Sequence, residues 1–171
     1  VATDGRRLAT YETEMKFDGA DAEIIIPSKT VSELLRGLSG DEDCKLSVHG
    51  KNMVEFDLGN VRLMSKLIDE AYPNYKQVIP PSRKYRIEVD RKMLFDALDR
   101  ASVMTMDEAH STKLVFDAGM LTVQSAASDI GEAKDALPIK YEGEKIEIMF
   151  NPSYIMDILK PMVDDSVFVE L

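Results

Sequence analysis

The chain has 171 residues, 44% of them hydrophobic, and carries 31 Asp and Glu against 21 Lys and Arg, for a formal charge of -10. That apolar share supports one sizeable core or two small ones and excludes a disordered polymer. The acidic balance excludes a protein that coats nucleic acid by bulk charge, so any DNA contact has to come from a local basic patch.

From the beginning, residues 1–9 read as a strand, an Asp4-Gly5 turn and a second strand, the tail of an earlier structural unit. Ile24, Ile25 and Ile26 then form a short apolar strand. Val31, Leu34, Leu35 and Leu38 follow at the i, i+3, i+4, i+7 spacing of one helical face. Three alternating runs come next, at 45–48, 53–57 and 61–67, separated by turn signals at His49-Gly50 and Gly59-Asn60. Cys44 is expected to be filler at the head of the first of these runs. As the single cysteine it cannot form an internal disulfide, and with no signal-like opening this points to a reducing cytoplasm.

Residues 69–82 break the pattern with Pro73, Pro80, Pro81, Tyr72 and Tyr75. Prolines restrict their own backbone and that of the residue before, so this stretch reads as a semi-rigid connector, dividing the chain into domains 1–74 and 75–171. Beyond it the motif returns: Ile87 and Val89, then Leu94, Ala97, Leu98 and Ala101, then strands at 112–116, 120–125 and 132–139 broken at Ala118-Gly119 and near Gly131. It begins a third time with Ile146, Ile148 and Phe150, then Ile155, Ile158, Leu159 and Met162, and a strand at 166–171. Two further strands are expected from the repeat, which predicts a fragment cut on both sides.

Val31, Leu94 and Ile155 are equivalent, 63 and then 61 residues apart. Pro27, Asp90 and Asn151 stand four residues ahead of them. Asp90 and Asn151 can accept from the open amides of a first helical turn, and Pro152 suits the first helical position. Each unit is therefore strand, helix, three-stranded meander, and two units can pair their sheets with both helices on one side, an α+β arrangement.

Chemistry is poorly represented. His49 and His110 lie 61 residues apart, and no Cys or His pair has zinc spacing. No phosphate-cradling glycine loop or nucleophile elbow is present, and the acidic runs 41–43 and 164–165 read as solvated turns. No cofactor or metal is implied. A metal-dependent hydrolase with converging carboxylates, or a β-rich peptide-binding adaptor that never meets DNA, are the competing readings. The apolar runs fall well short of the roughly 20 residues needed to span a membrane.

Four segments carry a family resemblance: Val1-Ala2-Thr3-Asp4-Gly5-Arg6-Arg7-Leu8-Ala9, Ile26-Pro27-Ser28-Lys29, Tyr72-Pro73-Asn74-Tyr75-Lys76-Gln77-Val78-Ile79-Pro80 and Phe150-Asn151-Pro152-Ser153-Tyr154. In this order and spacing they resemble the beta subunit of bacterial DNA polymerase III, the sliding-clamp family. The resemblance runs along the whole chain and implies about half of a family member: the end of the middle domain's first half, its second half and most of the third domain. It implies a DNA-clamp fold and a non-catalytic processivity factor that closes as a head-to-tail homodimeric ring around duplex DNA. It also implies partners, namely the polymerase catalytic subunit, the clamp loader and repair polymerases, docking through short linear peptides.

Carried over position by position, the peptide pocket comprises Thr3, Gly5, Arg6, Arg7 and Leu8, with Pro73 and Val78 on the connector and Asn151 and Tyr154 at the third helix start. Leu8, Pro73 and Val78 would form an apolar floor, and Arg7, Asn151 and Tyr154 a polar rim. Arg6 replaces a frequent His, and Gln77 stands where a basic residue can occur. Part of the pocket belongs to final strands beyond residue 171. The ring-lining helices would turn Lys29, Arg36, Lys92 and Lys160 toward DNA, and Val103 and Met104 would meet the next subunit. Helix windows 28–38, 91–101 and 152–162 carry formal charges of +1, +1 and 0, leaving -12 elsewhere. The helices are thus the basic part of an acidic chain.

Overall fold

A computed structural model describes residues 1–14, 19, 21–38, 43–104, 111–127 and 131–171. His110 and residues 41–42 of the acidic run lie outside the described residues. The chain opens with a hairpin of β1 (Ala2–Thr3) and β2 (Leu8–Ala9). It continues with α1 (Ser28–Gly37), then β3 (Lys45–His49), β4 (Met53–Asp57) and β5 (Arg62–Lys66), which form an antiparallel three-stranded sheet in that order. A single 3-10 turn, Tyr75–Gln77, marks the connector. Next come β6 (Arg86–Asp90), α2 (Arg91–Ser102), β7 (Thr112–Asp117), β8 (Met120–Ala127) and β9 (Gly131–Pro138). The chain ends with β10 (Ile146–Phe150), α3 (Pro152–Leu159) and β11 (Ser166–Glu170).

Two compact units result: Val1–Ala2 with Ala9–Ile79, and Thr3–Leu8 with Pro80–Leu171. In the first unit, alternation in β4 sends Val54 and Phe56 inward, where they meet Leu67 and the half-buried Ile24, Ile26, Leu34 and Leu63. Helix α1 is held on this sheet by a 2.6 Å hydrogen bond between the hydroxyls of Thr30 and Ser65. The contact is close at the helix end, where a Cβ on Gly37 would stand 3.0 Å from Leu58 Cδ1.

Two expectations fail here. Ile24–Ile26 forms no strand, although the Ile25 carbonyl accepts from the Ile68 amide at 3.0 Å. The apolar face of α1 is only partly covered, with Val31 41% and Leu35 67% exposed. Both departures share one cause: among the described residues of this unit, no second strand pairs with residues 24–26 and no second helix packs on α1. Cys44 is also exposed and lies just before β3, outside the core it was expected to fill.

The second unit shows the module once in full, β6 to β9, and begins it again with β10, α3 and β11, with reciprocal pairing. β10 pairs antiparallel with β7, extending the sheet to the order β10-β7-β8-β9, while β11 pairs antiparallel with β6. The first strand of each copy is thus laddered to the first post-helix strand of the other. Helices α2 and α3 pack together, and Leu94, Ala97, Leu98 and Ala101 are all buried, as their spacing predicts. They close on Ile87, Val89, Leu114, Phe116, Leu121, Val123 and Leu159. Capping follows the residue types: Asp90 Oδ1 accepts from the Met93 amide at 2.7 Å and Asn151 Oδ1 from the Ser153 amide at 3.0 Å. Arg91 ties the copies together by donating from Nε to the Asp164 carbonyl at 2.6 Å.

Candidate partner-binding site and helix faces

The Thr3–Leu8 segment belongs to the second unit, and its shape is set by Asp4. A short carboxylate can accept from amides two and three residues on, and Asp4 Oδ1 takes both the Arg6 and Arg7 amides at 3.0 Å. Those two backbone bonds hold its carboxyl below the ordinary aspartate range. Gly5 adopts φ +80°, a left-handed conformation that side chains disfavour. Thr3 Oγ1 closes the turn, donating to the Arg7 carbonyl at 2.8 Å and accepting from the Gly5 amide at 3.2 Å.

This turn delivers Arg6 and Arg7 to the first turns of α3. Arg7 donates from Nε to Asp4 Oδ2 at 3.0 Å and from Nη1 to Asp157 Oδ2 at 2.7 Å. Its guanidinium carbon lies 4.7 Å from the centroid of the Tyr154 ring, a cation–π contact. Arg6 is exposed, and the neighbouring Tyr154 hydroxyl, accepting from its guanidinium, holds that group above its ordinary pKa. Arg7, Leu8, Asn151 and Tyr154 are half-buried. Thr3, Gly5, Arg6, Arg7, Leu8, Asn151 and Tyr154 therefore fall in one unit. The oxygen of Asn151, expected at a polar rim, is engaged in capping α3.

Pro73 and Val78 belong to the first unit, where both are exposed. Pro73 lines a groove of about 790 Å³ with Val1, Ile24, Ile25, Tyr72 and Tyr75, and the two tyrosines meet edge to face at 6.4 Å. That groove and the holding role of Asp157 escaped sequence reasoning. Nothing local to Asp157 in the sequence points 150 residues back to Arg7.

Lys29, Arg36, Lys92 and Lys160 are all exposed. Arg36 pairs with Glu33 one turn away at 2.8 Å, an exposed contact of small energetic value. Val103 is 60% exposed after α2 and Met104 is half-buried. His49 Nε2 bonds Glu55 at 2.8 Å, and among the described residues no group of three or more His, Cys, Asp or Glu could hold a metal. No helix among the described residues is long and apolar enough to cross a membrane.

The strand–helix–meander module, its strand–helix–strand part recurring with reciprocal strand pairing and packed helices, is the α+β architecture of DNA clamps. Two family models then match almost end to end: the central domain of the DNA polymerase III beta subunit at residues 1–74 and its C-terminal domain at 76–171. The chain belongs to the DNA polymerase III beta subunit family. It is 33% identical to the beta sliding clamp of Chlamydia trachomatis, over 98% of this chain and 40% of that protein. It is 34% identical to that of Haemophilus influenzae, over 98% and 46%.

Among solved structures, a sliding clamp from Bartonella birtlesii bound to griselimycin superposes with TM-score 0.78 at 33% identity, covering 86% of this chain and 40% of that one. The DNA polymerase III beta subunit of Pseudomonas aeruginosa gives 0.78 at 28% identity, covering 86% and 40%. The chain thus spans a little under half the length of the relatives it matches.

Proposed function

We propose that the protein to which this chain belongs is a sliding clamp: a non-catalytic, cytoplasmic processivity factor that encircles duplex DNA as a homodimeric ring and tethers the replicative polymerase. The observation that carries this reading is the recurrence of the strand–helix–strand unit in the second unit, once with its full meander and once as β10, α3 and β11. Its reciprocal ladders tie one copy to the next, which is what a ring built from repeats needs and what a catalytic cleft does not. Lys29, Arg36, Lys92 and Lys160 face the DNA backbone through loose, sequence-independent contacts, in helices that are the basic part of a chain of charge -10. Val103 and Met104 meet the neighbouring subunit, and the domains divide at 74/75.

The same reading makes Thr3, Gly5, Arg6, Arg7, Leu8, Pro73, Val78, Asn151 and Tyr154 the pocket for short peptides of the polymerase catalytic subunit, the clamp loader and repair polymerases. Few anchors suffice, because a small number of buried apolar side chains supplies most of the affinity of such a peptide. The test uses the full-length protein loaded onto nicked circular DNA. Retention on the circle and release after linearisation are expected, whereas equal retention on both, or on neither, overturns the ring. An adaptor that never meets DNA would bind neither form.

A further inference from the structure

Three features of the first unit lack a partner among the described residues. Val31 and Leu35 stand exposed on α1. Residues 24–26, tied on one side by the Ile25 carbonyl to Ile68, have no strand paired with them. Strand β3 is a free edge in the order β3-β4-β5. Its Leu46 and Val48 pair across the ladder with Phe56 and Val54, so they point to the side of the sheet that carries the core, yet both are exposed where Phe56 and Val54 are buried. A helix face, an open segment and an open edge are the parts by which the two copies in the second unit hold each other: α2 packs on α3, β6 takes β11 and β10 takes β7. That exchange is reciprocal. A module presenting both halves of such a contact can meet another of its own kind across a two-fold axis.

We propose that this face of the first unit is an interface between two copies of the chain: residues 24–26 of each copy ladder antiparallel onto β3 of the other, and the two α1 helices cover each other's Val31 and Leu35. The register follows from the repeat. Ile24 and Ile26 correspond to Ile87 and Val89, and Val48 and Leu46 correspond to Val169 and Val167 of β11, which like β3 is the first strand after its helix. In the second unit Ile87 pairs with Val169 and Val89 with Val167, so Ile24 meets Val48 and Ile26 meets Leu46. Charge agrees with that register. Glu23, which has no ion pair among the described residues, then stands opposite His49, where the second unit sets Arg86 against Glu170 at 3.7 Å. Strand β3 itself carries Lys45 and His49 and no acid, so Glu23 meets no like charge on it. Val31, Leu35, Leu46 and Val48 of both copies leave water together, which supplies the driving force. The surface is separate from Val103 and Met104, which lie in the second unit.

Sedimentation velocity on the 171-residue chain tests this. The mass is expected to rise from 19.2 kDa toward twice that value as the concentration passes about 10 μM, and below that range α1 keeps its open face. Leu35→Asp is expected to hold the chain monomeric to a concentration at least about tenfold higher. Because Leu35 is exposed in the single chain, this variant keeps its fold, which circular dichroism checks. Cross-linking in a Cys44→Ser background reads the register. A chain carrying Ile26→Cys, mixed with one carrying Leu46→Cys, is expected to form a disulfide-linked dimer under mild oxidation. A chain that stays monomeric at every concentration overturns the proposal. So does a dimer that Leu35→Asp leaves intact, or one that links Ile26→Cys to the exposed position Val163→Cys as readily as to Leu46→Cys, since either puts the contact on another surface.

Discussion

The first unit holds one helix and meander, the second a full module plus the strand, helix and strand of another, and their difference isolates what the second copy contributes. Val31 and Leu35 occupy the positions of Leu94 and Leu98, yet they are 41% and 67% exposed where their counterparts are 2% and 0%. Ile24 and Ile26 correspond to Ile87 and Val89, and only the latter pair lies in a strand, because β11 ladders onto β6. The residue types are interchangeable. A helix face becomes core when another helix covers it, and an extended segment becomes a strand when another strand accepts its amides.

The widest gap is expected from the equivalent leucines. Leu98→Ala removes a fully buried side chain and should cost about 3 kcal/mol, while Leu35→Ala should stay within about 0.5 kcal/mol. Urea denaturation of the two variants checks this, and equal costs would show that the two helix faces are equally buried in solution.

A smaller asymmetry lies at the helix starts. Asp90→Ala should destabilise the second unit by about 1 kcal/mol through loss of the bond to the Met93 amide. Pro27 offers α1 no side-chain cap to lose. If Asp90→Ala leaves the denaturation midpoint unmoved, the cap is not formed in solution.

The smallest effect concerns charge. Glu147 on β10 lies between Lys113 at 2.6 Å and Lys145 at 2.7 Å, and hydrogen bonds from Lys113 and then Lys145 lower its carboxyl to about 2. Among the described residues its first-unit counterpart, Glu23, forms no ion pair. A lowered carboxyl pKa stabilises the folded state fully above the ordinary glutamate value of 4.5, and that contribution fades as pH falls toward 2. Melting temperatures of the parent and Glu147→Gln, compared from pH 6 to about pH 2, should therefore converge on acidification. A constant difference across that range would exclude the lysine pairing as its source.

Much of the fold was legible beforehand because its signals are short-range. The three helices start where the apolar spacing puts them, although α3 ends at Leu159 and leaves Met162 beyond it, and Asp90, Asn151 and Pro152 punctuate them as their chemistry requires. Six of the meander strands match the alternating runs to within two residues at each end. The candidate site was legible only in part. The Asp4-Gly5 turn could be read, since an Asx turn is built from neighbours. The clasp of Arg7 by Asp157 and its contact with Tyr154 could not, since they join residues about 150 positions apart.

By itself, the sequence determined the module: which segments coil, which extend, where each turns, and that the pattern recurs. Those properties follow from side-chain spacing and capping within a few residues. Only the tertiary structure decided which copies become complete, namely that β10 joins β7, that β11 joins β6, that α3 covers α2, and that α1 keeps an uncovered face. The reason is physical. A backbone amide or an apolar stripe states its need for a partner locally, but which distant residue meets that need depends on the whole chain being folded around it.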